Sequence, residues 1–407
     1  MLRLPIENTS DREENIMAEW SKTQLSDILV DKGYIRGPFG SALKRGDMKD
    51  NGVPVYEQQH AIYDSRCFRY YIDEQKFVEM KRFQVNTDDL IISCSGTVGK
   101  VSIIRDDDPK GIISQALLLL RVDKNKILPL YLKYFFSSRD GYNAIVSRSS
   151  GSVQVNIAKR DVIEQIPLML PKIETQRKIV GVLNSIDKKI EENERINNNL
   201  EQQAQAIYQQ MFIDNARSNW AEGTLSDIAD ITMGQSPSGS SYNEDGTGTI
   251  FFQGRAEFGF RFPSVRLYTT EPKRMARSND TLMSVRAPVG DLNVAHTDCC
   301  IGRGLAAIHS KNNHQSFVLY TMFSLKKQLD VFNGEGTVFG SINRNSLNEM
   351  PILIPSSEKL DEFEALVSPM DAAIRNNYDE ICRLEQLRDS LLPQLMSGEL
   401  DVSDIDI

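Results

Sequence analysis

Two textures alternate along this 407-residue chain. In the first, short apolar runs rich in Val, Ile, Phe and Tyr, such as DLIIS (Asp89 to Ser93) and ALLLL (Ala116 to Leu120), are separated by clusters of Gly, Ser, Asn and Pro. Runs of that length between turn residues predict strands. Each such region holds one helical stretch, LPLYLKYFFSS (Leu128 to Ser138) and SFVLYTMFSLKKQL (Ser316 to Leu329). The second texture is a heptad. Ile179, Ile186, Asn193, Leu200 and Ile207 fall on one seam position, with Leu183, Ile190, Asn197, Ala204 and Met211 on the other. Leu360, Val367, Ile374, Ile381, Arg388 and Leu395 repeat the pattern beside Phe363, Met370, Asn377, Leu384 and Leu391. A period of 3.5 residues predicts two long helices whose seams each need a partner. The economical partner is the other copy, packed antiparallel, which would hold the two strand-rich regions at opposite ends of a rod. Asn193, Asn197 and Asn377 interrupt the seams, as solvated gaps or as a lock on register.

The first texture is also duplicated. TQLSDI (Thr23 to Ile28) matches GTLSDI (Gly223 to Ile228), each shortly after a Trp; DLIISCSGTVGK (Asp89 to Lys100) matches DTLMSVRAPVGD (Asp280 to Asp291); ISQAL (Ile113 to Leu117) matches IGRGL (Ile301 to Leu305). GSVQVNI with IPLMLP (Gly151 to Ile157, Ile166 to Pro171) matches GTVFGSI with MPILIP (Gly336 to Ile342, Met350 to Pro355). A period this long means a duplicated domain and not a solenoid. The expected fold is therefore two α/β modules in tandem, with mixed sheets, joined by two long antiparallel coiled-coil helices. The expected boundaries are a polar tail at 1–19, modules at 20–170 and 216–355, and helical segments at 171–215 and 356–407, the last with an acidic tail.

The repeat settles one tempting motif. SGTVGK (Ser95 to Lys100) ends like a phosphate-binding loop, but that loop needs a Gly six residues before the Lys and Ser or Thr after it. Cys94 and Val101 stand there, and the second copy has Asp291 in place of Lys100. A charge reversal would ruin a phosphate cradle and leaves a strand-turn-strand corner intact. Gly99, Gly290, Gly151 and Gly336 are expected to be backbone corners.

Net charge is −9, but it is unevenly spread. Residues 20–170 hold 22 Lys+Arg against 18 Asp+Glu and residues 216–355 hold 13 against 13, whereas residues 356–407 hold 4 against 13. Any contact with nucleic acid must then come from local basic loops and not from a global field. No run is long enough to span a membrane, the N-terminus is too polar for a signal peptide, and five cysteines without a CxxC spacing fit reduced thiols in a cytoplasmic protein. His296 with Cys299 and Cys300 is the one His/Cys cluster and has no fourth ligand nearby, so no metal or other cofactor is expected.

IPLMLPKIETQRKIVGVLNSID, LEQQAQAIYQQMF and the C-terminal LEQLRDSLLPQLMSGELDV, set within this two-module, two-helix plan, resemble the specificity subunit of a type I restriction-modification system. The resemblance implies two target-recognition domains, each reading half of a split double-stranded DNA sequence, separated by spacer helices. It also implies a chain with no catalysis of its own, which assembles with two methyltransferase (modification) subunits and with restriction subunits that hydrolyse ATP and cut DNA. A subunit of a related methylation-only system, or a DNA-acting enzyme with a site among carboxylates such as Asp106, Asp107 and Asp108, is the alternative; that triple precedes Pro109 and reads as a turn. Pro369 and Pro393 depart from the plan, and predict a kinked or broken second helix.

The best contact candidates are long polar side chains in loops between strands. The first module offers Lys44 and Arg45, then Gln58, Gln59 and His60, then Arg148, Ser149, Ser150 and Gln154. The second offers Gln235 and Ser236, Gln253 and Arg255, Arg286, and Asn343 and Arg344. Gln and Asn can pair bidentately with adenine and Arg with guanine, while Lys and Ser mostly hold phosphates.

Overall fold

The computed structural model describes residues 20–39, 42–149, 155–334 and 340–405. These pack as two compact units, one from residues 1–190 with 382–407 and the other from residues 191–381. Each long helix contributes to both.

In the first unit, a four-stranded antiparallel sheet has the order Leu29–Arg36, Leu117–Val122, Leu90–Ser93, Val101–Ile103. Its central strands carry unbroken apolar runs, residues 117–120 and 90–92, for a reason. Leu118, Leu120, Leu90 and Ile92 face one core, and Leu117, Leu119 and Ile91 face another. A strand buried on both faces reads as a continuous apolar run and not as an alternation. Beside it lies a mixed sheet of Tyr71–Ile72, Val53–Tyr56 and Ile112–Ile113, the last pair parallel. The second unit repeats the four-stranded sheet as Ala229–Met233, Leu305–Ser310, Thr281–Ser284, Leu292–Val294. Met283, Ala306 and Ile308 face one core there, and Leu282, Leu305 and Ala307 face the other. Its mixed sheet has grown to five strands around the parallel pair Thr249–Phe252 and Cys299–Ile301.

The ends of the repeat match as well. Ser21–Gln24 pairs antiparallel with Pro167–Leu170, and Ala221–Thr224 with Pro351–Ile354, so each module opens and closes on one ribbon. The LSDI that follows forms a helical turn in both copies. The carboxylate of Asp27 accepts from Gln24 N–H at 3.1 Å, and that of Asp227 from Thr224 N–H at 2.7 Å, satisfying donors that the turn leaves open. Where the sequence predicts one helical stretch per module, the structure has Pro129–Ser137 followed by Arg139–Val146, and Gln315–Ser324 followed by Lys326–Leu329.

The long helices run Ile173–Tyr208, closing in a π-helical turn Gln209–Asp214, and Ser357–Ser397. The second is continuous through Pro369 and Pro393, correcting the predicted break. Both prolines lie on the exposed face, so each lost N–H bond frees a carbonyl that water can reach, while Phe363, Val367, Ile374 and Leu395 hold the buried face. Every seam position named from the heptads is buried or half-buried.

Within the first unit, Asp187 of the first helix meets Arg388 of the second at 3.3 Å and accepts from the Tyr134 hydroxyl at 2.7 Å. Within the second, Asn193 donates to Glu380 and Asn377 donates to Asn197, each at 2.8 Å. In the second unit residue numbers rise on one helix as they fall on the other, so the pairing there is antiparallel. The seam asparagines are hydrogen-bonded partners, with Asn193 and Asn197 buried, and are not solvated gaps.

The acidic second helix also serves its own module. In the second unit Asp379 pairs with His296 at 2.7 Å and Asp361 with His314 at 2.8 Å. Buried Arg261 lies 3.1 Å from Glu201 of the first helix, 3.4 Å from Asp371 of the second, and donates to the Tyr320 hydroxyl at 3.0 Å. One guanidinium ties the module to both helices. Among the described residues no helix is long and apolar enough to cross a membrane.

Candidate nucleic-acid interface

The corner SGTVGK is built by two antiparallel strands, Leu90–Ser93 and Val101–Ile103. Gly99 closes it at φ +86°, donating its N–H to Ser93 O at 2.9 Å, and Lys100 N–H donates to Ser93 Oγ at 3.0 Å. In the second copy Gly290 at φ +84° donates to Ser284 O at 2.9 Å, and Asp291 N–H to Ser284 Oγ at 2.9 Å. Only glycine enters that conformation at low cost, which is why the glycine recurs while the residue after it changes sign. The Lys100 ammonium sits over the Tyr142 ring, 5.0 Å from its centre, and Asp291 forms ion pairs with Lys326 at 3.2 Å and with Arg255. Neither copy is a phosphate cradle.

In the first module Lys44 and Arg45 are exposed on a turn fixed by Asp47, whose carboxylate accepts from Lys44 N–H at 2.7 Å. Gln58 and Gln59 open the helix Gln58–Tyr63 and do not lie in a loop. The Gln58 side-chain carbonyl accepts from Ser95 N–H at 3.0 Å, and Gln59 donates to Cys67 O at 3.3 Å. His60 is the clear correction. It is fully buried, its Nδ1 accepts from Glu57 N–H at 2.7 Å, its Nε2 faces Cys67 O at 3.2 Å, and its ring stacks on Phe68 at 4.7 Å. Burial pushes its pKa down. A neutral ring that closes a turn cannot reach a groove, so His60 leaves the candidate set. Arg148 donates to Ala144 O at 2.8 Å and Ser149 to Ile145 O at 3.1 Å, capping the preceding helix. Ser150, Gln154 and Gly151 lie outside the described residues.

In the second module Gln235, Gln253, Arg286, Asn343 and Arg344 are exposed. Gln235, Ser236 and Gln253 gather around Ile301–Gly304: Gln235 N–H donates to Ile301 O at 3.0 Å and Ser236 Oγ accepts from Arg303 N–H at 3.3 Å. A Cβ on Gly302 would lie 2.9 Å from Gln253 O. Arg255 is held by Asp291, and Asn343 caps the helix Arg344–Asn348 by accepting from Ser346 N–H at 2.9 Å. Arg286 forms an isolated antiparallel bridge with Ser341. Gly336 lies outside the described residues.

Sequence reasoning missed the counterpart of that bridge. Ser95 pairs with Asn156 in the first module, and Ser95 Oγ donates to Asn156 Oδ1 at 2.9 Å. Aligning SGT with RAP, and VNI with GSI, would have placed Ser95 over Arg286 and Asn156 over Ser341. The Asp106–Asp108 turn is structural: Asp108 pairs with Arg66 at 2.6 Å and accepts from Arg105 N–H at 2.8 Å. Cys94 and Cys299 are buried, which pushes each thiol up to about 12, far from a nucleophile's range. Among the described residues no group of three His, Cys, Asp or Glu could hold a metal.

The fold defines a class of protein with two tandem α/β modules, each packed with the paired long helices, whose equivalent corners carry different side chains. Comparison with known proteins gives the family. The profile described as "Type I restriction modification DNA specificity domain" matches residues 17–202 and again 217–385, and the chain belongs to that family. It is 28% identical to the "Putative type I restriction enzyme MjaX specificity subunit" of Methanocaldococcus jannaschii, over 95% of each chain. It is 21% identical to the type I restriction enzyme HindI specificity subunit of Haemophilus influenzae, covering 74% of this chain and 84% of that one. The crystal structure of a type I restriction-modification system S subunit from M. genitalium shares the fold, with TM-score 0.59 and 16% identity over 92% of this chain and 96% of that one.

Proposed function

We propose that this chain selects the DNA on which a type I restriction-modification complex acts. Each module, residues 20–170 and 216–355, reads one half of a bipartite double-stranded target, and the helical segments 171–215 and 356–407 join them. The chain performs no chemistry itself; in the cytoplasm it brings the target to two methyltransferase subunits and to restriction subunits. The observation that carries this reading is the repeat. One backbone frame occurs twice, and at equivalent positions it holds different side chains, half-buried Ser95 and exposed Asn156 against exposed Arg286 and Ser341. Two unequal readers on one chain are what an asymmetric split site requires, because base edges are sampled only where a side chain reaches the groove. Lys44 and Arg45 fit backbone contacts; exposed Gln235, Gln253, Arg286 and Arg344 fit contacts to bases. The test is a module exchange. Replacing residues 20–170 by the same module of a relative, and sequencing methylated adenines in the host, is expected to change one half of the modified motif and leave the other. A swap that altered both halves, or neither, would sink the proposal.

A further inference from the structure

The matching segments ISQAL and IGRGL fold into the same turn in each module. Leu117 N–H donates to Ser114 O at 3.2 Å and Leu305 N–H to Gly302 O at 2.9 Å, closing a four-residue turn with Gln115 or Arg303 in second place. Three further main-chain bonds hold each turn, and they correspond one for one. Ser114 N–H donates to Tyr56 O, and Gly302 N–H to Phe252 O, each at 2.8 Å. Gly37 N–H donates to Leu117 O at 3.0 Å, and Gly234 N–H to Leu305 O at 2.9 Å. Cys94 N–H donates to Ala116 O, and Val285 N–H to Gly304 O, each at 2.9 Å. The neighbouring backbone packs too closely for a side chain: a Cβ on Gly37 would lie 1.9 Å from Ser114 O, and one on Gly234 2.1 Å from Gly302 O.

Each turn leads into a six-residue strand, Leu117–Val122 or Leu305–Ser310, which spans about 20 Å. Beyond its far end each strand is tied to a long helix. In the first unit the Gln176 amide accepts from Leu128 N–H at 2.9 Å and donates to Lys126 O at 3.3 Å; in the second, His314 meets Asp361 at 2.8 Å and Phe317 N–H donates to Glu364 at 3.0 Å. The turns therefore stand at the strand ends remote from those junctions. Gln115 and Arg303 are exposed there, and among the described residues no group bonds the Gln115 amide or accepts from the Arg303 guanidinium.

A base reader needs an edge that no neighbour occupies, carried on backbone already in place, since ordering a loose segment opposes binding. Two copies of one frame dock on a duplex in the same way, so a position that reads in one copy reads in the other. Several exposed candidates meet these conditions in one copy only. Gln235 answers to buried Pro38, Gln253 to Glu57, whose carboxylate accepts from Arg69 at 2.9 Å, and Arg286 to half-buried Ser95, whose hydroxyl donates to Asn156. Gln115 and Arg303 meet them in both.

Resting on the proposed function, we infer that the second residue of this turn is an equivalent specificity position of the two modules. Gln115 reads an adenine in one half-site, and Arg303 reads a guanine in the other. An amide matches the N6 and N7 edge of adenine, and a guanidinium the O6 and N7 edge of guanine.

The experiment takes the full chain, purified from its host with the subunits that travel with it, selects a randomised DNA duplex library on it, and sequences what is retained. Gln115→Ala is expected to weaken the preference for A·T at one position of one half-site by roughly 5- to 150-fold, and Gln115→Arg to shift that position toward G·C. Arg303→Gln is expected to shift one G·C position of the other half-site toward A·T by a similar factor, and Arg303→Ala to relax it. Both residues are exposed on turns that main-chain bonds hold, so the variants are expected to melt with the wild type; where an exchange of Gln and Arg does not, the alanine variant carries that arm. A wild-type preparation that enriches no bipartite motif overturns the proposed function and this assignment with it. A wild-type preparation that enriches one, with folded variants that keep every preference, alter the same half-site or weaken all sequences alike, overturns the assignment only.

Discussion

Arg261 offers the sharpest test of how a module is fixed to its helices. It is 4% exposed, with carboxylates of Glu201 and Asp371 at 3.1 and 3.4 Å and the Tyr320 hydroxyl at 3.0 Å. Arg261→Ala removes the only cation of the cluster and strands two partly buried carboxylates. Breaking a buried ion pair from one side costs about 3–5 kcal/mol, chiefly through the charge left behind. The unit spans residues 191–381, and at that size 1 kcal/mol moves the midpoint by about 2–4 °C, so a loss of roughly 6–20 °C is expected. The assay is thermal melting followed by Trp220 fluorescence in a Trp20→Phe background, since the chain has two tryptophans, one in each unit. The pH dependence gives a second arm. Burial raises the Glu201 pKa, and Arg261 acts against that rise, so the variant raises it further. A carboxyl raised in the folded state favours folding most below its unfolded value, and loses that contribution as pH climbs through the folded value. The deficit of Arg261→Ala should therefore shrink between about pH 7.5 and about pH 5, and adding Glu201→Gln with Asp371→Asn at neutral pH should recover most of it. A shift below about 2 °C, or a deficit equal at both pH values, would refute the reasoning.

Two further perturbations test the frame. Alanine at Gly99 or Gly290 forces a left-handed residue to carry a Cβ, a strain of about 1–2 kcal/mol; Gly290→Ala should cost more in urea denaturation, because its Cβ would lie 2.9 Å from the Cβ of buried Leu329, against 3.3 Å from the Tyr142 ring for Gly99→Ala. Equal costs would show that the corner does not press on the helix behind it. Replacing Asn197 and Asn377 together by Leu should raise the melting midpoint while broadening the species seen by light scattering, because an apolar seam tolerates other registers and partners; a stable, uniform population would remove the register role of the pair.

How much of this was legible follows from which contacts are local. The heptads reported the long helices faithfully, because burial along a seam depends only on period, but whether the asparagines were solvated gaps or a lock on register depended on partners from the other helix, Glu380 for Asn193 and Asn377 for Asn197. The repeat likewise revealed the corners, since Gly99 and Gly290 answer to a backbone demand that any sequence must meet in the same way. His60 was misjudged because YEQQH reads as polar, while its burial depends on Phe68 folding back across the ring. Proline suggested a kinked or broken helix because a lost hydrogen bond is visible in sequence; the helix is unbroken because both prolines fall on its exposed side, which is set by packing. Arg261 was invisible: FGFRFPS reads as an aromatic loop, and its partners come from two helices about 60 and 110 residues away.

The duplication separates two tasks that most loops must combine. Position is set by main-chain bonds that do not depend on side-chain identity, from Ser93 O and Cys94 O in one copy and from Ser284 O and Val285 O in the other. Identity is set by the side chains mounted on that frame, Ser95 and Asn156 in one copy and Arg286 and Ser341 in the other. A change at exposed Arg286 leaves these main-chain bonds in place, whereas a change at Ser93 or Ser284, whose hydroxyls accept from Lys100 N–H and Asp291 N–H, disturbs where everything is held. Such a division lets one half of a split target diverge while the other is kept, and the left-handed conformation that Gly99 and Gly290 adopt at low cost holds the two corners to one geometry as they do.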